Sequence, residues 1–278
     1  MRGSYYDVDS LKEAIGTVDY VLHIAGVTKA RKPREYNDGN VLSTRNLLEA
    51  AAANPNLKKF CFISSLTATG PSADGTPVDE NTPCNPITTY GVTKLAAETI
   101  CQLQVNRIPL VILRPPAVYG PRDHDGLEIF QWASRGYIPA MGSKQKIVSL
   151  IYGPELARAI VEATISDKTT GETYFVADPQ SYSYCELMEK TAIMAGKKPK
   201  TILFPKWLLY GLAGISEAVS VFQSKPAVLN IEKVRDLVQK HWVCSPRKLE
   251  EHIGFRPQVS IEDGLRRTLE WYKEYGWL

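Results

Sequence analysis

Three short apolar runs, each followed by a stretch with helical spacing, constrain this chain more than any other feature. The runs are Val18-Asp19-Tyr20-Val21-Leu22-His23-Ile24-Ala25-Gly26, Lys58 to Ser64 through Phe60, Phe62 and Ile63, and Pro109 to Leu113. Between them, Tyr36 to Ala53 carries apolar Leu42, Leu47, Leu48 and Ala51 at helical intervals, and Thr88 to Val105 reads as a second helix. Strands alternating with helices imply right-handed crossovers and a parallel sheet covered on both faces. The near-continuous apolarity of the runs agrees, because a parallel strand is buried on both sides. The expected fold class is therefore α/β, with a doubly wound parallel sheet.

After about Gly120 the pattern loosens. Leu127 to Arg135, Glu155 to Ile165 and Cys185 to Ala195 read as helices, and Thr173 to Ala177 as a strand. Lys197-Lys198-Pro199-Lys200 is a polar break, and the remainder is mostly helical, ending in Ile261 to Tyr275. This suggests a soft division near residue 120, with residues 1–120 as sheet domain and 121–278 as a second lobe that returns elements to the first. With 278 residues and 44% hydrophobic content the chain can bury a sizeable core.

The net charge of +3 is spread through interleaved acids and bases, which excludes a nucleic-acid stripe. Cys61, Cys84, Cys101, Cys185 and Cys244 form no CxxC pair, and their odd number argues against a disulfide framework, so a reducing cytoplasm is expected. His23, His124, His241 and His252 show no metal-ligand spacing, so no metal is expected. Trp207 to Phe222 is the most apolar helical stretch, interrupted by Ser216, Glu217 and Ser220, and falls short of a membrane span. An amphipathic lobe helix is the plain reading; a membrane-surface contact is the sharper one.

Tyr90-Gly91-Val92-Thr93-Lys94 lies inside an expected helix. A spacing of four puts the tyrosine and the lysine on one face, a turn apart. A tyrosine hydroxyl, with a reference pKa near ~10, is a poor base at neutral pH, and a neighbouring ammonium lowers that value. Such a tyrosine can exchange a proton with a substrate hydroxyl or carbonyl. Taken alone the pair is also compatible with a solvated helix face. Upstream, Ser64 and Ser65 sit where an apolar strand ends, the place where open α/β sheets hold ligands, although turn or capping chemistry explains two serines as well.

The set His23-x-Ala25-Gly26, Asn40-Val41, Ser64-Ser65, Tyr90-x-x-x-Lys94 and Arg114-Pro115…Tyr119-Gly120-Pro121 resembles the extended short-chain dehydrogenases, the NAD-dependent epimerase/dehydratase family, in order and separation. That resemblance implies a Rossmann-like doubly wound parallel sheet lacking its first strands, with a smaller, mostly helical substrate lobe. It implies NAD or NADP as cofactor and a secondary alcohol or ketone as substrate, either a nucleotide sugar or a sterol- or flavonoid-like molecule. Tyr90 would be the acid/base. Lys94 would lower its pKa and bind the nicotinamide ribose, and Ser65 would polarise the substrate oxygen. Ala25, Gly26, Ser64, Pro115 and Val118 would lie beside the cofactor. Asn40 is expected to be structural. Tyr152 and Glu155 stand where the family has a histidine and an aspartate. A homodimer built on Thr88–Val105 is also implied.

The family normally opens with a strand, a glycine-rich turn and a helix that cradles the pyrophosphate. No two glycines in this chain are spaced by two positions. The stretch from Gly3 to Leu11 resembles the segment just past the family's third strand. The expectation is a truncated reading frame with weak cofactor binding, an unpaired apolar edge on the Val18–Ile24 strand, and Met1-Arg2-Gly3-Ser4 as a tag remnant. The alternatives are a natural variant that has lost cofactor binding, or a non-catalytic scaffold of the same fold.

Overall fold

A computed structural model describes residues 4–30, 32–220 and 229–278. Met1 to Gly3 of the expected tag remnant, and Phe222 at the far end of the apolar stretch, lie outside the described residues. Helix α1 (Val8–Ile15) starts at Asp7, whose carboxylate accepts from the amides of Asp9 and Ser10. Strand β1 (Tyr20–His23) follows. The expected Tyr36–Ala53 helix is a longer helical run: α2 (Pro33–Tyr36), a π-helical turn over Asn37–Leu42, then α3 (Ser43–Ala52). Pro33 opens it, a position where proline's missing amide costs nothing. Next come β2 (Lys59–Ile63), the short α4 (Leu66–Thr69), α5 (Thr89–Gln102) and β3 (Leu110–Arg114).

The second half contributes β4 (Ala117–Tyr119), α6 (Leu127–Ser134), β5 (Tyr137–Met141), β6 (Ile147–Val148), β7 (Leu150–Tyr152), α7 (Gly153–Ile165) and β8 (Thr173–Phe175). It ends with β9 (Tyr182–Ser183), α8 (Tyr184–Met194), β10 (Lys200–Phe204), α9 (Lys206–Ser220), α10 (Ile231–Leu237), β11 (His241–Trp242), α11 (Arg247–Ile253) and α12 (Ile261–Glu274).

The main sheet is parallel throughout, in the order β1-β2-β3-β8. Its inner strands alternate between two cores, as a pleat of period two requires. Phe60, Phe62, Leu110 and Ile112 join Leu47, Leu48, Ala97 and Cys101 of α3 and α5 on one face. Cys61, Ile63, Val111 and Leu113 join Ala159, Ile160 and Ala163 of α7, with Leu249 of α11, on the other. Helices thus cover both faces, as the alternation of runs implies.

Strand β1 differs. Val21 and His23 are buried toward α3, but Tyr20 and Leu22 on its other face are 39% and 43% exposed, and β1 is the sheet's edge among the described residues. The expected unpaired apolar edge is present there.

The structure also departs from the sequence reading after residue 196. Lys200, read as part of a polar break, begins β10, which pairs in parallel with β5 from Lys200↔Tyr137 to Phe204↔Met141. The small sheets formed by β4 with β7 and by β11, β6 and β9 are equally unmarked in the sequence. Strands of two or three residues give too few repeats for a periodicity to register, and β10 is only half-buried, so its run is not apolar throughout.

Candidate active site

The carboxyl ends of β1, β2 and β3 open on one side of the sheet, where ligands enter folds of this kind. Beyond β2, Ser64 is buried. Ser65 caps α4, its Oγ accepting from the Thr67 amide at 3.2 Å. The same Ser65 hydroxyl is near enough to the Tyr90 hydroxyl to pull its pKa downward. Ser65 and Tyr90, on separate elements, therefore meet.

Tyr90 stands in the first turn of α5. Thr88 caps that helix, its Oγ1 accepting from the Gly91 amide at 3.1 Å. Gly91 explains how α5 comes so close to α4: a Cβ there would fall 2.4 Å from the Thr67 carbonyl oxygen. A glycine inside a helix costs about 1 kcal/mol relative to alanine, so its presence in the Tyr90–Lys94 turn is a sign of close packing that the sequence itself carries.

Lys94 is 3% exposed, and its Nζ donates to the Ile63 carbonyl at 2.6 Å and lies 4.2 Å from the centre of the Phe62 ring. Burial lowers its pKa to about 8, with Glu98 and Cys101 pulling the other way. Burial raises the Tyr90 hydroxyl above its usual value; the nearby Ser65 hydroxyl draws it back, and Tyr36 adds to the rise. In this arrangement the group that lowers Tyr90 is Ser65, while the Lys94 amine is engaged by the end of β2.

Asn40, in the π turn, is buried and tied on every side. Its Oδ1 accepts from the Val27 amide at 2.7 Å, and its Nδ2 donates to the Val27 carbonyl and to Thr93 Oγ1, each at 3.0 Å. It thus fastens the loop after β1 to α5. A Cβ on Gly26 would meet Asn40 Oδ1 at 3.0 Å, so that loop passes Asn40 with no room for a side chain. Ala25 and Gly26 are exposed in the loop after β1. Pro115 is buried, its carbonyl accepting from the Leu66 amide at 2.8 Å, and Val118 on β4 is exposed. Arg114 is structural: it grips Glu98 with both Nε and Nη2 at 2.6 to 3.2 Å. Glu155 is likewise engaged internally, accepting from the amides of Gln258 and Val259 and from Arg158, while Tyr152 packs on Tyr119.

A cleft of about 550 Å³ opens beside these residues, with Thr67, Thr88 and Tyr90 on one wall and Asn230, Glu232 and Asp236 near α10 on the other. An ion pair between Lys29 and Asp125 joins the loop after β1 to the loop before α6. Glu232 closes the far wall onto the tyrosine helix, accepting from the Thr89 amide at 3.1 Å and from Thr89 Oγ1 at 2.6 Å. Nothing in the sequence points to Glu232, because it lies 143 residues from Thr89 and no local motif marks it.

The site suits one end of a nicotinamide dinucleotide. Ser64 Oγ and His23 Nδ1 are buried without partners among the described residues, an ammonium lies at Lys94, and Gly26 presents bare backbone near it. For the pyrophosphate end, these residues hold no glycine-rich turn.

A parallel sheet wound on both faces, with a serine, a tyrosine and a lysine gathered at its carboxyl edge, defines the class of Rossmann-type oxidoreductases and their relatives. The chain belongs to the NAD dependent epimerase/dehydratase family, whose model matches residues 1–177. It is 28% identical over 257 residues to a ceramide reductase of Caulobacter vibrioides, spanning 92% of this chain and 75% of that protein. It is 25% identical over 307 residues to human 3 beta-hydroxysteroid dehydrogenase type 7, spanning 98% and 82%. In fold it is similar to UDP-glucuronic acid 4-epimerase of Bacillus cereus in complex with NAD, with a TM-score of 0.77, 23% identity, and coverage of 99% of this chain and 80% of that one.

Proposed function

We propose that this protein is an NAD(P)-dependent oxidoreductase acting on a secondary alcohol or ketone in an uncharged, lipid-like molecule. The observation that carries the reading is the Ser65 hydroxyl beside the Tyr90 hydroxyl at the end of β2, with Lys94 one helical turn beyond Tyr90. The cofactor, when bound, gives or takes the hydride. Tyr90 exchanges the proton at the substrate oxygen, and Ser65 donates a hydrogen bond to that same oxygen. Lys94, buried with its amine on the Ile63 carbonyl, would hold the ribose end of the nicotinamide. Ala25, Gly26, Ser64, Pro115 and Val118 line the cofactor's path.

Charge in the cleft favours an uncharged substrate over a nucleotide sugar. Among the described residues, the carboxylates of Asp125, Glu128, Glu232 and Asp236 outnumber the amines of Lys29 and Lys233, a poor setting for a diphosphate. The names of the ceramide reductase and steroid dehydrogenase relatives support the same class.

We further propose that residues 121–278 act as the substrate lobe and that the protein works in the cytoplasm, as its five free cysteines suggest. A homodimer would form through the outer face of α5, where Val92 and Leu103 are exposed. A polypeptide of these 278 residues alone should hold NAD(P) weakly, because phosphate binding in this fold relies on a glycine turn they do not contain.

The test is nicotinamide absorbance at high NAD(P)H with a steroid or long-chain ketone and, separately, a UDP-4-ketohexose. Turnover of the ketone lipid and none of the nucleotide sugar is expected. The reverse result overturns the substrate class, and no turnover of either in a preparation that binds NAD(P)H overturns the enzyme reading.

A further inference from the structure

The first turn of α5 carries Tyr90, and it is the part of that helix least able to hold itself in place. The leading amides of an α-helix have no partner inside the helix. In α5 the Thr88 hydroxyl takes the Gly91 amide, and the Thr89 amide goes to Glu232, 143 residues further along the chain. Glu232 Oε1 accepts from that amide at 3.1 Å and from Thr89 Oγ1 at 2.6 Å. Both side chains are half-buried, and a carboxylate facing the start of a helix meets the positive end of its dipole. Arg235, three residues on and so on the same face of α10, adds a longer contact from its Nη1 to the Ile87 carbonyl at 3.4 Å. Two side chains of α10 thus clasp residues 87–89, immediately before Tyr90.

A clasp positions only if it is itself held, and α10 is held at both ends and along one face. At its start, the Asn230 side chain accepts from the Lys233 amide at 2.7 Å, and Glu217 of α9 accepts from the Ile231 amide at 3.0 Å. At its end, Lys146 donates to the Leu237 carbonyl at 3.1 Å, and the Trp242 indole donates to the Asp236 carbonyl at 3.2 Å. Val234, and Val238 just past the helix, pack on Leu209 and Ala213 of α9. The Glu232 carboxylate therefore comes from a firmly seated element. On the receiving side, Gly91 brings the same turn of α5 hard against α4, where a Cβ would fall 2.4 Å from the Thr67 carbonyl oxygen. Tyr90 is the residue between these two restrained positions, and its hydroxyl lies beside that of Ser65.

We propose that Glu232 is a positioning residue for Tyr90: by fastening α10 to the first turn of α5, it fixes where the Tyr90 hydroxyl stands relative to Ser65 and the cleft. Glu232, Thr88 and Tyr90 all line that cleft, so the clasp lies where its two walls meet. A misplacement of about 1 Å at a reacting group can cost roughly 100-fold in rate. A turn free to shift by that much loses turnover before it loses substrate. The effect on turnover rests on the proposed role of Tyr90 as proton donor; the effect on the placement of Tyr90 does not.

The test uses the full chain with its tyrosines labelled by carbon-13 at Cζ, the Tyr90 signal being identified by its loss in Tyr90→Phe. Glu232→Ala should shift that signal. Glu232→Gln keeps an oxygen for both Thr89 donors and should return it to the wild-type position. The Thr89 amide should exchange with solvent roughly tenfold faster in Glu232→Ala than in the wild type. In ketone reduction at high NAD(P)H, Glu232→Ala should lower kcat by roughly tenfold or more while KM stays within about twofold, and Glu232→Gln should recover most of the loss. Thr89→Val removes the hydroxyl from the other side of the clasp. It should move the Tyr90 signal in the same direction, and it leaves α10 untouched should Glu232→Ala fail to fold. A link that merely ties the two lobes together would leave the Tyr90 signal and kcat alone. An unmoved Tyr90 signal in both Glu232→Ala and Thr89→Val overturns the proposal, as does a glutamine variant no better than alanine. A raised KM with unchanged kcat also overturns it, making Glu232 a substrate contact. A Tyr90 signal that moves as expected in a protein that binds NAD(P)H but reduces no ketone upholds the positioning and overturns the catalytic reading instead.

Discussion

Strand β2 and strand β1 lie side by side in parallel register, from Tyr20↔Lys59 to His23↔Phe62, yet they live in different environments. Every residue of β2 is buried, with helices on both faces. Only one face of β1 is covered, and its edge has no partner among the described residues. The side chains proposed for proton transfer are supported from β2: Lys94 rests on its last carbonyl and on Phe62, and Ser65 comes just past its end. The loop proposed to meet the cofactor leaves from β1. The residues proposed for proton transfer are thus held by the fully packed part of the sheet, while the contact proposed for Ala25 and Gly26 depends on the half-packed part.

The contrast can be broken most directly at Glu98. Its carboxylate is the bidentate partner of buried Arg114 at the end of β3, so Glu98→Ala strands a guanidinium in the interior. A loss of about 3–5 kcal/mol in unfolding free energy by urea titration is expected. A loss under about 1 kcal/mol would mean that the inner sheet is less tightly built than its packing implies.

A pair of substitutions in neighbouring strands sharpens it further. Phe62→Ala, in the fully buried strand, should cost about 3–5 kcal/mol. Leu22→Ala, on the bare face of β1, should fall within about 0.5 kcal/mol. Equal costs would show that something covers β1 in solution.

The covered face of β1 gives a smaller, pH-dependent effect. His23 donates to or accepts from Thr44 Oγ1 at 2.8 Å, and burial, reinforced by Lys94, lowers its pKa to about 4. In the unfolded chain it protonates near about 6.5. The folded form therefore binds fewer protons between those values, so its stability is intact above the unfolded value and falls as pH drops toward the folded one. Between about pH 7 and pH 5 this amounts to roughly 2 kcal/mol. Urea midpoints of the wild type and of His23→Asn at both pH values should differ by that loss, which the variant escapes. Parallel losses in the two proteins would assign the acid sensitivity elsewhere.

How far the sequence could be read follows the same division. The apolar runs betrayed β2 and β3 because strands buried on both faces must be apolar throughout, and β1 was legible as the third run although only one of its faces is covered. The helices α5, α7, α8 and α12 were visible because each runs 11 to 14 residues, long enough for its spacing to repeat. Ser65, Tyr90 and Lys94 could be named from motif order. Their geometry could not, since the approach of Ser65 to Tyr90 and the seat of Lys94 on the Ile63 carbonyl depend on how α5 lies against β2. The π turn at Asn40 has no signature in residue spacing that separates it from an α-helix. The far wall of the cleft was hidden altogether, because Glu232 reaches Thr89 through folding alone. The apolar stretch of α9 was visible, but the turn of Glu217 back onto the start of α10 was not.

The central claim is that Tyr90 delivers the proton that accompanies hydride transfer at the carboxyl edge of the sheet. The most direct measurement is transfer of deuterium from nicotinamide-deuterated NAD(P)H to a ketone substrate by the wild type and by Tyr90→Phe, at equal cofactor occupancy. The account predicts labelled alcohol from the wild type and a drop of roughly 100-fold or more in the variant, with its cofactor affinity unchanged. Equal labelling by both proteins would contradict it.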